Sequence, residues 1–236
     1  MEGLEIRVEN VVCAYGSKTV LDRVSHTFSK GAVTAVLGRS GSGKSTMLQV
    51  INGLKKAKSG RILVGNDEVN DSTIQALRLK TGFVIQHTGL FPHMRVAKNI
   101  SLLGQLTGMD EREMHARVDE LMNISLLPLS YKEKYPHELS GGEQQRVGLC
   151  RALFLEPPVL LMDEPFASLD YVTKQSLYTY VEDLQKRNAR TIILITHDFD
   201  EAVRLADEFV WIENGVVRET GNKEKLMSIK PLYLQG

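Results

Sequence analysis

The 236-residue sequence lacks several features that mark special classes of protein. It has only two cysteines, Cys13 and Cys150, far apart and outside any CxxC or Cys/His cluster, which argues against a disulfide framework and a zinc site. We expect both cysteines to be buried as small apolar side chains. No run of about 18 apolar residues occurs, so no segment is predicted to span a membrane.

Net charge is also absent, because 29 basic residues balance 29 acidic ones. This balance argues against nucleic-acid binding driven by bulk electrostatics. The N-terminal sequence MEGLEIRVEN has neither the basic start nor the apolar run of a signal peptide. We therefore predict a cytoplasmic protein that reaches a membrane only through a partner and has no nucleic acid among its partners.

Apolar periodicity predicts a series of strands. Leu4, Ile6 and Val8 alternate with charged residues, which is typical of a half-buried strand. Longer apolar runs predict strands that are covered on both faces. The remaining predicted strands lie at 20–28, 32–37, 62–64, 83–85, 159–162, 191–195 and 209–212.

The order of the later elements predicts a parallel sheet. A helix at about 173–187 between two apolar runs makes a βαβ unit, whose strands are parallel. Asn214-Gly215, between two apolar segments, predicts a hairpin with a type I′ turn.

Residues 95–155 differ in character, with helical spacing and little strand signal. Asp110 and Glu113 form a D-x-x-E start, after which apolar residues recur at helical spacing. We predict that these helices form a subdomain inserted into a core. The predicted boundaries are 1–88 and 156–236 for the core and about 89–155 for the insert, within a single domain of 1–236.

A phosphate-binding loop follows the apolar run at 32–37. The sequence fits G-x-x-x-x-G-K-[ST], with a strand predicted before it and a helix, at about 44–54, after it. Glycines let backbone N–H groups close around phosphate oxygens, and the helix N-terminus adds partial positive charge. We expect the lysine to contact the β- and γ-phosphates and the serine to ligate Mg²⁺. The loop consists of Gly38, Arg39, Ser40, Gly41, Ser42, Gly43, Lys44 and Ser45.

Polar residues follow the predicted parallel strands at the edge where ligands bind in open sheets. Asp163 and Glu164 follow the run at 159–162, and strand alternation predicts that they point to opposite sides. Asp163 suits Mg²⁺ and Glu164 suits an attacking water, although Glu164 also fits a surface carboxylate. Gln86 and His197 follow two further predicted strands, where a lone glutamine or histidine is usually structural.

A second glycine-rich helix start, LSGGEQQR, begins at Leu139. Ser140 and Glu143 form an S-x-x-E capping box. Helix geometry leaves the N–H groups of Gly141 and Gly142 without intrahelical acceptors, and these donors suit an anion. Asp198 and Glu201 form a comparable pattern, which is also consistent with a simple capping box.

Taken in chain order, these motifs resemble the ATP-binding cassette (ABC) transporter ATPases over essentially the whole chain. The matching residues are the Gly38–Ser45 loop, Gln86, LSGGEQQR, Leu160–Glu164, Ser168-Leu169-Asp170 and His197. The resemblance implies an α/β fold: a P-loop NTPase (RecA-like) core with a mixed parallel sheet, an N-terminal antiparallel β subdomain and an inserted α-helical subdomain.

The resemblance also implies roles for individual residues. Tyr15, otherwise readable as an ordinary core or surface aromatic, matches the residue that stacks on adenine, and Thr46 joins the loop in binding ATP. Gln86 resembles the residue that senses Mg²⁺ and the attacking water, Glu164 the general base and His197 the γ-phosphate switch. The resemblance implies that Lys44 is catalytic together with Gln86, Glu164 and His197. It also implies that Ser45, Gln86 and Asp163 form the Mg²⁺ site.

In the family, two cassettes sandwich two ATP molecules head to tail. The resemblance therefore assigns the segment Leu139, Ser140, Gly141, Gly142, Glu143 and Gln144 to the partner's ATP. Ser168, Leu169 and Asp170 resemble the segment that communicates across the dimer. The expected partners are a second cassette, membrane permease subunits and a separate solute-binding protein, with the chain on the inner face of the cell membrane.

The sequence looks most like ATPases of osmoprotectant importers for glycine betaine, choline and related quaternary amines. The stretches that carry this likeness are VIQHTGLFPHM at 84–94, YPHELS at 135–140 and EPP at 156–158. Leu90 and Phe91 match the family's contact with the permease, but they also fit a plug beneath the helical subdomain. Alternatives are the ATPase of an amino-acid or other small-solute transporter, a non-transport mechanical cassette, a cassette acting on DNA or ribosomes, and a regulator without turnover.

Overall fold

The computed structural model describes residues 2–85 and 89–233. Its strands are β1 (Ile6–Tyr15), β2 (Lys18–Phe28), β3 (Val33–Leu37), β4 (Ser59–Val64), β5 (Asp67–Glu68), β6 (Thr81–Val84), β7 (Val159–Asp163), β8 (Thr191–Ile195), β9 (Glu208–Glu213) and β10 (Val216–Asn222). Its α-helices are α1 (Lys44–Ile51), α2 (Ile74–Leu79), α3 (Val96–Thr107), α4 (Glu111–Ile124), α5 (Gly141–Leu153), α6 (Tyr171–Arg187), α7 (Phe199–Leu205) and α8 (Lys223–Tyr233).

The strands form two sheets. The larger has the order β10-β9-β3-β8-β7-β6, with all neighbours parallel except the β9–β10 hairpin. The smaller, β2-β1-β4-β5, is antiparallel. Because β6, β7, β8, β3 and β9 run in one direction, the residues that follow them meet at a single edge.

Alternation along the central strands divides the core into two layers. Leu160 and Met162 of β7 face a cluster that contains α5, α6 and the other helices of that side. Val159 and Leu161 face the opposite cluster, which includes α1 and the antiparallel sheet. The larger sheet is therefore covered on both faces, and this explains why its strands are uninterrupted apolar runs.

The predicted α/β class is confirmed, with a mixed sheet, an N-terminal antiparallel sheet and helices between β6 and β7. The type I′ hairpin is also confirmed, because Asn214 and Gly215 both have positive φ, 50° and 79°. Asp110 caps α4 by accepting hydrogen bonds from the N–H groups of Arg112 and Glu113. The domain boundaries proposed near 89 and 155 stay a prediction.

Two predicted helix limits were wrong. The helix after the phosphate loop ends at Ile51 and not near Leu54, because Gly53 adopts a left-handed conformation with φ 61°. The helix predicted from about Thr173 begins at Tyr171, because the side chain of Asp170 caps it. The cap fixes the first residue of this helix although Tyr171 and Val172 are exposed, so the helix begins before its first buried residue, Thr173.

Neither cysteine is expected to react with thiol reagents in the folded protein. Cys13 and Cys150 are unpaired and fully buried, and burial raises the pKa of Cys150 to about 12. Because the thiolate is the reactive form, titration with a coloured disulfide reagent near pH 8 should detect no thiol in the native state and two after denaturation. A fast native reaction of either cysteine would contradict this burial.

No helix in the described part of the chain is both long and apolar enough to cross a bilayer.

Candidate active site

The phosphate-binding loop lies where the sequence predicts it, between β3 and α1. Helix α1 has Gly43 as its N-cap and no side-chain cap, so its first N–H groups are not covered by a capping side chain. A Cβ on Gly38 would lie 2.1 Å from the carbonyl oxygen of Ile212, and its φ of 146° is strained for other residues. Glycine at this position therefore lets the loop pass close to β9.

The ammonium group of Lys44 is folded onto this loop. Its Nζ donates to the carbonyl oxygens of Gly38 and Arg39 at 2.7 and 2.8 Å. Burial lowers the pKa of Lys44, and the negative charges of Glu164 and Asp163 oppose that shift. Since an ammonium group has three donors, Lys44 can keep contact with the loop while it donates to a phosphate oxygen.

A hydroxyl and a carboxylate meet beside Lys44. Asp163 ends β7 on the face shared with Val159 and Leu161, which is the face that α1 covers. Burial raises the pKa of Asp163, a hydrogen bond from the Ser45 side chain lowers it, and the charge of Glu164 raises it. Two hard oxygen ligands beside a phosphate loop fit Mg²⁺, which binds one or two protein oxygens together with substrate phosphates and water.

Glu164 is not a strand residue, so the alternation predicted between it and Asp163 does not apply. Strand β7 ends at Asp163, and Glu164 has a φ of 49°, in the left-handed region. The N–H of Glu164 donates to the carbonyl oxygen of Ile195 at 3.0 Å. Its Oε1 lies 3.6 Å from Nδ1 of His197, which brings together the two side chains expected to face a γ-phosphate.

A cleft of about 380 Å³ lies over the loop. It is lined by Tyr15, Lys18, Val20, Ser40, Gly41, Gly43, Lys44, Ser45, Thr46 and Glu164. The side chain of Tyr15 is half exposed, with its hydroxyl 3.2 Å from Oε1 of Gln49 and the ammonium group of Lys55 over its ring. An aromatic face and a phosphate loop in one cleft suit a nucleotide. Two larger cavities among the described residues, one beside Phe154 and one beside Tyr171, are not lined by any residue of the phosphate loop.

The second glycine-rich segment forms the start of α5, as predicted. Ser140 and Glu143 make the reciprocal capping box, and the hydrogen bond from the N–H of Ser140 lowers the pKa of Glu143. Leu139 is buried, whereas Ser140 and Gly141 are exposed. Among the described residues that line the nucleotide cleft, none comes from 139–144.

The segment 168–170 lies between β7 and α6 and packs against the start of α5. A Cβ on Gly142 would lie 2.9 Å from the carbonyl oxygen of Ser168, so the two segments are in close contact. Leu169 packs partly buried against the helical core. Asp170 accepts hydrogen bonds from the N–H and hydroxyl of Thr173, and these bonds lower its pKa. Gln86, predicted to join the Mg²⁺ site, lies outside the described residues.

Comparison with known families decides the identity of this arrangement. Residues 21–167 match the ABC transporter family.

The chain belongs to the ABC transporter family.

Relatives of this ABC cassette include ATP-binding subunits of import systems. It is 40% identical over 223 residues to the choline transport ATP-binding protein OpuBA of Bacillus subtilis, covering 94% of this chain and 58% of that protein. It is 42% identical over 217 residues to the glycine betaine uptake system ATP-binding protein YehX of Escherichia coli, covering 92% of this chain and 70% of that protein. The cassette thus spans less than two thirds of the length of OpuBA.

Solved ABC cassettes share its fold. A dimeric post-hydrolysis cassette bound to ADP and Pi superposes with a TM-score of 0.86 at 28% identity, covering 92% of this chain and 98% of that one. A second dimeric structure, of a bacterial ABC transporter cassette, gives a TM-score of 0.85 at 30% identity, with the same two coverages. These likenesses confirm the predicted fold class.

Sequence reasoning missed two sets of polar residues in the cassette. Gln145, on the buried face of α5, donates from Nε2 to the carbonyl oxygen of Glu164 at 2.8 Å. A polar residue at a buried helical position signals such a partner. Asp198 caps α7 as expected, but Glu201 does not complete a capping box, because its carboxylate turns inward to Thr196 and Tyr178.

Proposed function

We propose that this chain is the ATP-hydrolysing subunit that energises a membrane ABC importer for an osmoprotectant, such as glycine betaine, choline or a related quaternary amine. The observation that carries the proposal is a cleft lined by Lys44, Ser45 and Glu164. Asp163 is hydrogen-bonded to Ser45, and His197 lies beside Glu164. The names of the relatives supply the class of solute, since OpuBA and YehX are a choline and a glycine betaine ATP-binding protein.

The cleft suits ATP with its triphosphate on the Gly38–Ser45 loop and Thr46, and its adenine on the ring of Tyr15. Phosphoryl transfer mainly requires positioning and stabilisation of negative charge on the phosphate oxygens. Lys44 and the N-terminus of α1 would stabilise that charge. Ser45, Asp163 and Gln86 would hold Mg²⁺, which would neutralise charge on the phosphate oxygens. The Ser45–Asp163 hydrogen bond supports this part of the proposal, because it places two oxygen ligands together.

Glu164 takes the role of general base for the attacking water in this proposal. Its position after the strand, fixed by hydrogen bonds at both its N–H and its carbonyl, aims the carboxylate into the cleft. His197 lies beside it and would contact the γ-phosphate. A general base must be within hydrogen-bond reach of the proton it accepts, and the place of Glu164 in the cleft over the phosphate loop supports this role.

The segment 139–144 would bind the ATP of a second cassette. The capping box leaves Gly141 and Gly142 to present their N–H groups outward, and the segment does not line the chain's own cleft. Two dimeric neighbours at 28% and 30% identity support a paired cassette. The segment 168–170 would then lie at the interface and link the two sites, because the carbonyl oxygen of Ser168 lies close to Gly142.

The permease would contact the loop before α3. Leu90 packs against the core, whereas Phe91 is 40% exposed, so one residue fills the gap and the other is available to a partner. Buried Asn99 fixes this loop through the N–H of Phe91 at 2.8 Å and the carbonyl of Met94 at 2.9 Å. We further propose the helical insert at about 89–155, a location on the inner membrane face and a separate solute-binding protein.

Reconstitution tests this function directly. The chain would be co-purified with its permease, placed in lipid vesicles and supplied with ATP and radiolabelled choline, glycine betaine, sulfate or amino acids. We expect uptake of a quaternary amine that requires ATP and is lost with Glu164→Gln. ATP hydrolysis without movement of any solute would instead favour a mechanical, non-transport cassette.

One relative favours a second candidate, the import of an inorganic anion. The probable sulfate/thiosulfate import ATP-binding protein CysA of Chlorella vulgaris is 39% identical, covering 94% of this chain and 93% of that protein. ATP-dependent uptake of labelled sulfate, with no uptake of choline or glycine betaine, would establish this candidate and overturn the first.

A further inference from the structure

The turn that carries His197 is held from behind by buried polar groups. The side chain of His197 is 66% exposed, whereas Thr196 before it is 2% exposed. The hydroxyl of Thr196 donates to the carboxylate of Glu201 and accepts from the N–H of Asp198 at 3.0 Å. One hydroxyl therefore connects both neighbours of His197 to a single buried carboxylate.

The same carboxylate connects the turn to helix α6. The hydroxyl of Tyr178 donates to the other oxygen of Glu201 at 3.1 Å. A weaker contact runs parallel to it, with Nζ of Lys174 lying 3.8 Å from Oδ2 of Asp198. Because α6 begins at Tyr171, directly after its cap residue Asp170, the His197 turn is fixed to the helix that follows the segment 168–170.

Glu201 is not needed to start its own helix. Asp198 already accepts hydrogen bonds from the N–H groups of Asp200 and Glu201 at 3.0 and 3.2 Å. Glu201 is only 5% exposed, and burying a carboxylate is unfavourable unless its oxygens are hydrogen-bonded. An apolar side chain would fill the same space without the free-energy cost of burying a carboxylate. The carboxylate therefore contributes a fixed hydrogen-bonding geometry.

We propose that Tyr178, Glu201 and Thr196 form a positioning chain that sets the place of His197 relative to the γ-phosphate. The inference rests on the proposed role of His197 in ATP hydrolysis. None of the three residues lines the cleft over the phosphate loop, so they would act through the backbone on either side of His197. Displacement of a catalytic group by about 1 Å can lower a rate by about 10²-fold, so a small shift of this turn is enough to matter.

Removal of the Thr196 hydroxyl tests the positioning chain. Thr196→Val keeps the shape of the side chain but loses both hydrogen bonds, and we expect kcat to fall by about 10- to 100-fold. The dissociation constant for ATP should stay unchanged, because the phosphate loop is untouched. Thr196→Ser restores the hydroxyl and should recover most of the rate, and Tyr178→Phe should show a smaller loss.

A double-mutant cycle separates positioning from general stability. In a His197→Ala background, Thr196→Val should cause little further loss of kcat, because there is no imidazole left to position. If Thr196→Val lowered kcat by the same factor with and without His197, the positioning role would be overturned. If His197→Ala hydrolysed ATP at the wild-type rate, the proposed role of His197 would fail and the positioning role with it.

A readout without turnover covers the case in which the double variant is too slow to measure. In a Glu164→Gln background, the imidazole NMR signals of His197 should shift when ATP is added. Thr196→Val should remove that shift and Thr196→Ser should keep it. An unchanged ATP-induced shift in the Thr196→Val protein would overturn the proposal.

Discussion

Glu164→Gln is expected to reduce steady-state ATP hydrolysis by about 10²- to 10⁴-fold, which is the usual contribution of a general base. The substitution replaces a carboxylate by an amide of the same shape that accepts no proton at neutral pH. The backbone of Glu164 is held by the carbonyl oxygen of Ile195 and by Nε2 of Gln145, so the side chain should keep its place. The loss should therefore reflect chemistry and not misfolding.

ATP binding should survive the same substitution. Lys44, Ser45 and the loop N–H groups are unchanged, and one negative charge beside the triphosphate is removed. We expect ATP to remain bound and a dimer to accumulate, because the contacts that ATP makes across the interface are lost only on hydrolysis. Phosphate release, filter binding of labelled ATP and size-exclusion chromatography with light scattering measure the three effects.

Glu213→Gln is the matched control. Glu213 is an exposed carboxylate on β9, 3.7 Å from Arg218, and exposed ion pairs contribute little to stability. This variant should hydrolyse ATP at the wild-type rate and should form no trapped dimer. Wild-type hydrolysis by Glu164→Gln would show that another group activates the water.

The phosphate loop and the buried strands beside it were the features most easily predicted from the sequence. The phosphate loop needs glycines at fixed positions, a strand before it and a helix after it, and each requirement is visible in consecutive residues. The buried runs of β7 and β8 were equally clear, because strands covered on both faces need apolar residues at every position. Asp163 and His197 followed from the ends of these strands.

Local backbone conformation and long-range polar contacts were harder to predict. Glu164 was taken as a continuation of the strand, but it adopts a left-handed conformation that no periodicity reports. Glu201 was compatible with a capping box, because the pattern of residues does not tell which way a carboxylate turns. Its partner Tyr178 lies 23 residues away, so only the packing of α6 against α7 reveals the contact.

The second large effect concerns Ser140, which lies at the start of α5 and not in the chain's own cleft. If this helix start binds the ATP of a second cassette, a negative charge there should repel the γ-phosphate. Ser140→Asp supplies the charge without disturbing the helix, because Asp and Ser are comparable N-caps. Ser140→Asn is the neutral control, since Asn is an equally good N-cap.

We expect Ser140→Asp to lower ATP hydrolysis by about 10²-fold or more, the range seen when a donor to a developing charge is removed. Ser140→Asn should lose much less activity. ATP binding to the isolated chain should be unchanged in both variants, because none of the described residues lining the cleft comes from 139–144. Isothermal titration at low protein concentration measures that binding, and phosphate release at high concentration measures hydrolysis.

Mixing two inactive variants gives the sharpest form of this prediction. Lys44→Ala damages the phosphate loop and Ser140→Asp damages the helix start. Both nucleotide sites of each homodimer are therefore incomplete. In a mixed dimer, the intact loop of the Ser140→Asp chain faces the intact helix start of the Lys44→Ala chain, and one site is whole. Hydrolysis by the mixture should therefore exceed that of either variant alone, and should increase with protein concentration. If Ser140 acted on its own chain's ATP, no combination of the two variants would restore a site, and the mixture would be as inactive as its components.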